Sequence, residues 1–227
     1  MIRCDAIDAV LFDLDGTLVD TDDQAVERLA TCLRVVRWLF PDQDPTPWAR
    51  WAMMQAETPG NALLTLVDAL GLDAPLAAAG DTLRAWGRLK HPSSFRPIAR
   101  VPAMLEQLSG RYKLGLVTSR GRRHIAAFQS SHPEMAGHLQ CFIGRQDTRR
   151  IKPHPAPLRL AATKLGVPIR RCLTIGDTPV DVRAARRAGA WSAAVLCGFG
   201  QRAELVRAGA HLVLHSTGDL AAILIRC

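Results

Sequence analysis

Residues 9–15 read Ala-Val-Leu-Phe-Asp-Leu-Asp, an apolar run suited to a buried strand that delivers two carboxylates, Asp13 and Asp15, at its carboxyl end. Alternate strand residues share a face, so both acids project to one side, toward the crevice where open α/β sheets bind ligands. Two acids this close oppose each other's ionisation unless a cation sits with them. Gly16 and Thr17 follow, and taken alone an acidic turn ending a strand accounts for the segment equally well. Other parts of the chain separate the two readings. The apolar run 114–117 ends in two hydroxyls, Thr118 and Ser119; Lys152 stands just before a helix; and the run 172–175 leads into Gly176 and Asp177, with Asp181 four residues on. Phosphoryl transfer from a monoester needs an in-line nucleophile, a cation against the negative charge, donors for the equatorial oxygens and an acid for the leaving alkoxide. The chain holds a candidate for each.

The segments Asp13-Leu14-Asp15-Gly16-Thr17, Leu114-Gly115-Leu116-Val117-Thr118-Ser119, Lys152-Pro153-His154-Pro155 and Leu173-Thr174-Ile175-Gly176-Asp177-Thr178-Pro179-Val180-Asp181 stand in the order of the four motifs of the haloacid dehalogenase superfamily of phosphohydrolases. The chain resembles that family over essentially its whole length. The resemblance implies Asp13 as the nucleophile, forming an aspartyl-phosphate, and Asp15 as the group that protonates the leaving alcohol and later takes a proton from water. It implies Mg²⁺ held by the side chains of Asp13 and Asp177 and by the backbone carbonyl of Asp15, a hard oxygen shell of the kind this ion prefers. Asp181, near the next helix start, would hold a metal-bound water or orient Lys152. Thr118 and Ser119, with free backbone N–H groups at a helix start, would cradle the phosphate, and Lys152 would bring a compact charge to Asp13 and the phosphoryl group. Each has a plainer account by itself: Thr118 as a helix cap, Lys152 as a solvated lysine, Gly176-Asp177 as a capped turn. Their joint fit favours the catalytic one. Ser119 stands where many relatives have asparagine.

Positioning these residues takes a parallel sheet. Strands are expected at the run ending in Asp13 and at 113–118, 140–143, 172–175, 191–196 and 212–214, and helices near 101–108, 122–129, 156–165 and 180–188, the last two ended by Gly166 and Gly189. Strands alternating with helices mean right-handed crossovers and an α/β fold: a doubly wound, Rossmann-like parallel sheet, with residues 1–20 and 94–227 as the core domain. Residues 21–93 lack strand-like runs and read as helices over 22–40, from Pro47 to 57, 61–72 and 75–89. They have the size and place of the small helical cap that the family inserts after the first strand, and 91–97 reads as the return linker. The cap would choose the leaving group, with Arg50, Arg84, Arg88 and Lys90 as candidates for an anionic tail or as solvated helix charges. With the continuation Val19-Asp20-Thr21, this pattern most resembles the phosphoglycolate phosphatase-like branch.

The expected function is therefore Mg²⁺-dependent hydrolysis of small phosphate monoesters of the phosphoglycolate kind. A β-phosphoglucomutase-like phosphotransferase would keep all four motifs and differ in the cap, so it stands as the alternative. A dehalogenase needs neither an acid for an alkoxide nor a metal, so Asp15, Asp177 and Asp181 argue against it. Over 227 residues the net charge is +8, but the basic residues are scattered and stacking motifs are lacking, which disfavours nucleic acid as the partner. No apolar stretch is long enough to span a bilayer and no secretory pattern opens the chain, so a cytoplasmic location is expected, with no membrane partner. Cys4, Cys32, Cys141, Cys172, Cys197 and Cys227 show no C-x-x-C spacing and read as reduced core residues. The seven histidines are scattered, and none is assigned a role. The sequence leaves the oligomeric state open.

Overall fold

The strand run at Ala9–Phe12, β1, is fully buried on both faces, the condition of a strand in the middle of a parallel sheet. The computed structural model describes residues 4–20, 31, 33–40, 43–45 and 95–225. In chain order the elements are β1, β2 (Val19–Asp20), β3 (Arg96–Pro97), α1 (Val101–Ser109), β4 (Lys113–Val117), α2 (Arg122–Ser131), α3 (Pro133–Gly137) and β5 (Cys141–Ile143). These are followed by α4 (Ala156–Leu165), β6 (Cys172–Gly176), α5 (Pro179–Ala188), β7 (Trp191–Val195), α6 (Arg202–Arg207), β8 (Leu212–Leu214) and α7 (Leu220–Leu224). Six strands pair in the order β5-β4-β1-β6-β7-β8, every pair parallel.

Strand alternation splits the core into two layers. Val10, Phe12, Leu114, Leu116, Leu173 and Ile175 pack with Met104, Leu105 and Leu108 of α1, Phe128 of α2 and Leu224 of α7. Ala9 and Leu11 face the other way, against Leu158, Ala161 and Leu165 of α4 and Ala184, Ala185 and Ala188 of α5. Alanines on α5 let that helix lie close to the sheet, and α4 and α5 end at Gly166 and Gly189 in left-handed caps, as the sequence leads one to expect. The fold is the doubly wound α/β sheet read from the sequence.

Three details differ from that reading. Arg96–Pro97 is a strand, antiparallel to Val19–Asp20, within the stretch expected to be linker; two-residue pairing is too short to leave a periodic signal. The short helices α3, α6 and α7 were not expected, because one or two turns carry little amphipathic pattern. Within the span 22–40, Arg34–Leu39 is a 3-10 helix; such tightening is common near helix ends. The helices expected over 47–57, 61–72 and 75–89, with Arg50, Arg84, Arg88 and Lys90, lie outside the described residues. Among the described residues no helix is long and apolar enough to cross a membrane.

Candidate active site

Each motif residue follows the carboxyl end of a central strand or the loop beside it. Asp13 comes directly after β1, and its N–H continues the ladder to Ile175 O at 2.9 Å. Thr118 follows β4 and donates its N–H to Ile143 O at 2.9 Å, Asp177 follows β6, and Lys152 lies between β5 and α4. The parallel register therefore stacks residues from four distant stretches of chain at one edge, the edge where open α/β sheets take their ligands.

Lys152 is the hub. Its side chain is 4 % exposed, and its Nζ donates to Asp13 Oδ1 at 2.6 Å, Asp181 Oδ1 at 2.6 Å and Val117 O at 2.9 Å, so its three protons meet three acceptors. Burial works to lower its pKa, and the two carboxylates overcome that and hold it above the usual lysine value. Asp181 is held in turn by α5: it is the N3 residue of a capping box, and its Oδ2 accepts from Thr178 N at 3.2 Å and Thr178 Oγ1 at 2.7 Å. Burial pushes Asp13 up to about 7, with the charges of Asp181 and Asp15 adding to the rise and Lys152 opposing it.

Carboxylate oxygens of Asp13, Asp177 and Asp181 lie within 4.8 Å of one another. Three carboxylates this close, beside only one lysine, form an oxygen-only donor set suited to a hard divalent cation. Asp181 joins this group, which the sequence reading left outside the direct ligands, while the Asp15 side chain is not part of it. Asp181 already gives one oxygen to Lys152 and the other to Thr178.

Asp177 is fixed by glycines. Its Oδ2 accepts from Phe199 N at 2.9 Å, and a Cβ added to Gly16 or Gly198 would overlap that same oxygen. Gly16 also has φ +69°, a left-handed turn that side chains disfavour. Gly198 has no such backbone demand, so Gly198→Ala tests the packing alone. It is expected to displace Asp177 and to weaken whatever affinity the acid cluster has for a divalent cation such as Mg²⁺ by ~tenfold or more, on the scale of ~1–3 kcal/mol for overpacking, with the fold retained. Calorimetric titration checks this, and unchanged affinity would mean that the loop yields instead.

Asp15 faces the segment after β4. Arg120 Nε donates to Asp15 Oδ2 at 3.0 Å, and His124 Nε2 lies 3.4 Å from Asp15 Oδ1. Neither residue was singled out in the sequence; the only signal there was the run Arg120-Gly121-Arg122-Arg123-His124 directly after a motif strand. Thr118 is buried, with its Oγ1 accepting from Arg120 N at 3.1 Å, and Ser119 is exposed. Cys141 and Cys172 are buried free thiols, pushed up by burial to about 11 and about 12 respectively, which keeps them protonated and unreactive.

Comparison with known proteins identifies the family. Residues 7–189 match the family described as haloacid dehalogenase-like hydrolase. The chain is 26% identical over 220 residues to the pyrophosphatase PpaX of Anoxybacillus flavithermus, covering 96% of this chain and 97% of that one. It is 27% identical over 243 residues to the phosphoglycolate phosphatase of Escherichia coli K12, covering 97% and 93%. A solved haloacid dehalogenase-like hydrolase from Streptococcus pneumoniae shares the fold, with TM-score 0.66 at 22% identity over 96% of this chain and 99% of that one. The chain belongs to the haloacid dehalogenase-like hydrolase family and is an enzyme similar along nearly its full length to proteins named as phosphatases.

Proposed function

We propose that this enzyme hydrolyses small anionic phosphate esters through a phosphorylated Asp13. The observation that carries this reading is the Lys152 ammonium set 2.6 Å from both Asp13 and Asp181: a buried cation placed on a carboxylate at the sheet edge is what a carboxylate needs to meet a phosphate dianion. An Asp13 oxygen attacks phosphorus, the bond to the ester oxygen breaks, and Asp15 gives that oxygen its proton. Water then attacks the phosphorus of the aspartyl-phosphate, Asp15 takes its proton, and the bond to Asp13 breaks to release phosphate. Lys152 stays charged throughout, oriented by Asp181, and the Thr118 hydroxyl with the Ser119 N–H holds the equatorial oxygens. Asp13 and Asp177, with the Asp15 carbonyl and Asp181 nearby, would hold Mg²⁺, which supplies charge neutralisation for the phosphoryl oxygens.

In this reading residues 21–93 are a cap that selects the alcohol. The names of the relatives point to phosphoglycolate and pyrophosphate as first substrates to try, and the phosphotransferase alternative predicts transfer to a sugar phosphate in place of release to water. The test is a screen of phosphate esters with Mg²⁺, with acid-quenched trapping of the phosphoenzyme. Release of phosphate with label on Asp13 is expected; no release from any ester, or full activity after exhaustive chelation, overturns the reading.

Metal binding is expected to depend on pH. With Asp13 raised to about 7 in the metal-free site, a proton must leave before the carboxylate can act as a ligand. Apparent Mg²⁺ affinity should fall by ~tenfold per pH unit below this value and level off above it. Titrations at pH 5.5, 6.5 and 8 check this, and a flat profile would remove Asp13 from the ligand set.

A further inference from the structure

We infer that His124 is a positioning residue for Asp15: with Arg120 it holds the Asp15 carboxylate in place for proton transfer. The inference rests on the proposed phosphatase reading and goes beyond it, since none of the four motifs includes this histidine.

The two oxygens of Asp15 are covered from one side by neighbouring turns. Arg120 Nε donates to Oδ2 at 3.0 Å, and His124 Nε2 faces Oδ1 at 3.4 Å. The two contacts differ in kind. The Arg120 side chain is 47% exposed, so water competes for its guanidinium. The His124 side chain is 7% exposed, and its Nε2 is buried without a hydrogen-bond partner among the described residues. Buried polar atoms are nearly always bonded, and one that is not asks for a reason. Here the atom it faces is the carboxylate of the proposed acid, close enough for a small turn of that carboxylate to complete the bond.

The ring is also locked. Phe95 lies edge-on to His124, with centroids 4.9 Å apart and planes at 75°, and also packs edge-on to Phe128, one turn further along α2, with centroids 6.0 Å apart. The Phe95 carbonyl accepts from His132 Nε2 at 2.7 Å, and the next two residues form β3, paired with Val19–Asp20. The imidazole is thus packed between its own helix, α2, and the strand that returns to the core, with its Nε2 facing Asp15 Oδ1 at 3.4 Å. A rigid donor of this kind sets where a carboxylate points, and a misplaced acid loses most where the leaving group most needs a proton.

The test compares kcat/KM, which reports phosphoenzyme formation, for p-nitrophenyl phosphate and for an alkyl ester such as phosphoglycolate. Asp15→Asn is the control and should depress the alkyl ester far more than the aryl one. His124→Phe keeps the ring and the contact with Phe95 but loses the donor. It should lower kcat/KM for the alkyl ester ~tenfold more than for the aryl ester and melt at the parent's temperature. His124→Gln returns an amide N–H near the Nε2 position and should recover most of the loss. An equal loss on both esters, no loss at all, or no recovery by His124→Gln would make His124 a core residue only and overturn the inference. If Asp15→Asn shows no leaving-group dependence, the acid assignment falls and the positioning role with it. If the parent releases phosphate from neither ester, the phosphatase reading itself has failed.

Discussion

Asp13→Asn is expected to remove turnover by ~1,000-fold or more, about 4 kcal/mol of barrier at ~1.4 kcal/mol per decade, and yet to leave the metal-free protein more stable near neutral pH. The amide keeps the shape of the carboxylate but cannot attack phosphorus. The stability effect follows from the direction in which the fold moves the Asp13 carboxyl. Burial raises it to about 7 in the folded protein, against ~3.9 in an unfolded chain. Between those values the folded state binds the extra proton, so the contribution of Asp13 is fully present below ~4 and is lost as pH rises through about 7. The difference in unfolding free energy between parent and variant should therefore move against the parent across that window, by on the order of 1.4 kcal/mol for each pH unit crossed, and Mg²⁺ should reverse it. Denaturant unfolding of both proteins at pH 4.5, 6 and 8, with EDTA and with Mg²⁺, measures the sign. A parent that is the more stable of the two at pH 8 in EDTA would mean that Lys152 outweighs burial and that Asp13 is ionised at ordinary cost.

Lys152→Met is expected to have the second largest effect and to act on stability and activity together. The side chain is buried and holds three acceptors, so its loss leaves the Asp13 and Asp181 carboxylates facing each other without their cation. Breaking a buried pair from one side costs ~3–5 kcal/mol, and the cost should shrink as pH falls toward about 7, because losing Lys152 raises the Asp13 carboxyl further and lets it take up its proton above that value. The same change removes the charge that the phosphoryl group meets, so kcat/KM should fall ~100-fold or more. A variant that melts like the parent at pH 8 in EDTA would show that the two acids are relieved by proton uptake alone. A variant that keeps its kcat/KM would take Lys152 out of the chemistry.

Much of this site is legible in the chain itself. The spacing of Asp13 and Asp15 at the end of a four-residue apolar run, the hydroxyl after 114–117 and the Gly176-Asp177 turn each belong to a local pattern, in which strand period and turn chemistry are set by neighbouring residues. The helix ends at Gly166 and Gly189 are readable for the same reason. Only the tertiary structure decided which partners those residues meet. Lys152 joins Asp13 across 139 residues of sequence and Asp181 across 29, and Arg120 meets Asp15 across 105. Such pairs are made by sheet register and strand order, which leave no periodic trace in the chain. The pairing of β2 with β3, the wedge of Phe95 against His124 and the buried Nε2 aimed at Asp15 are of the same origin. A scattered histidine gains a neighbour only when a parallel sheet brings the ends of β1 and β4 side by side.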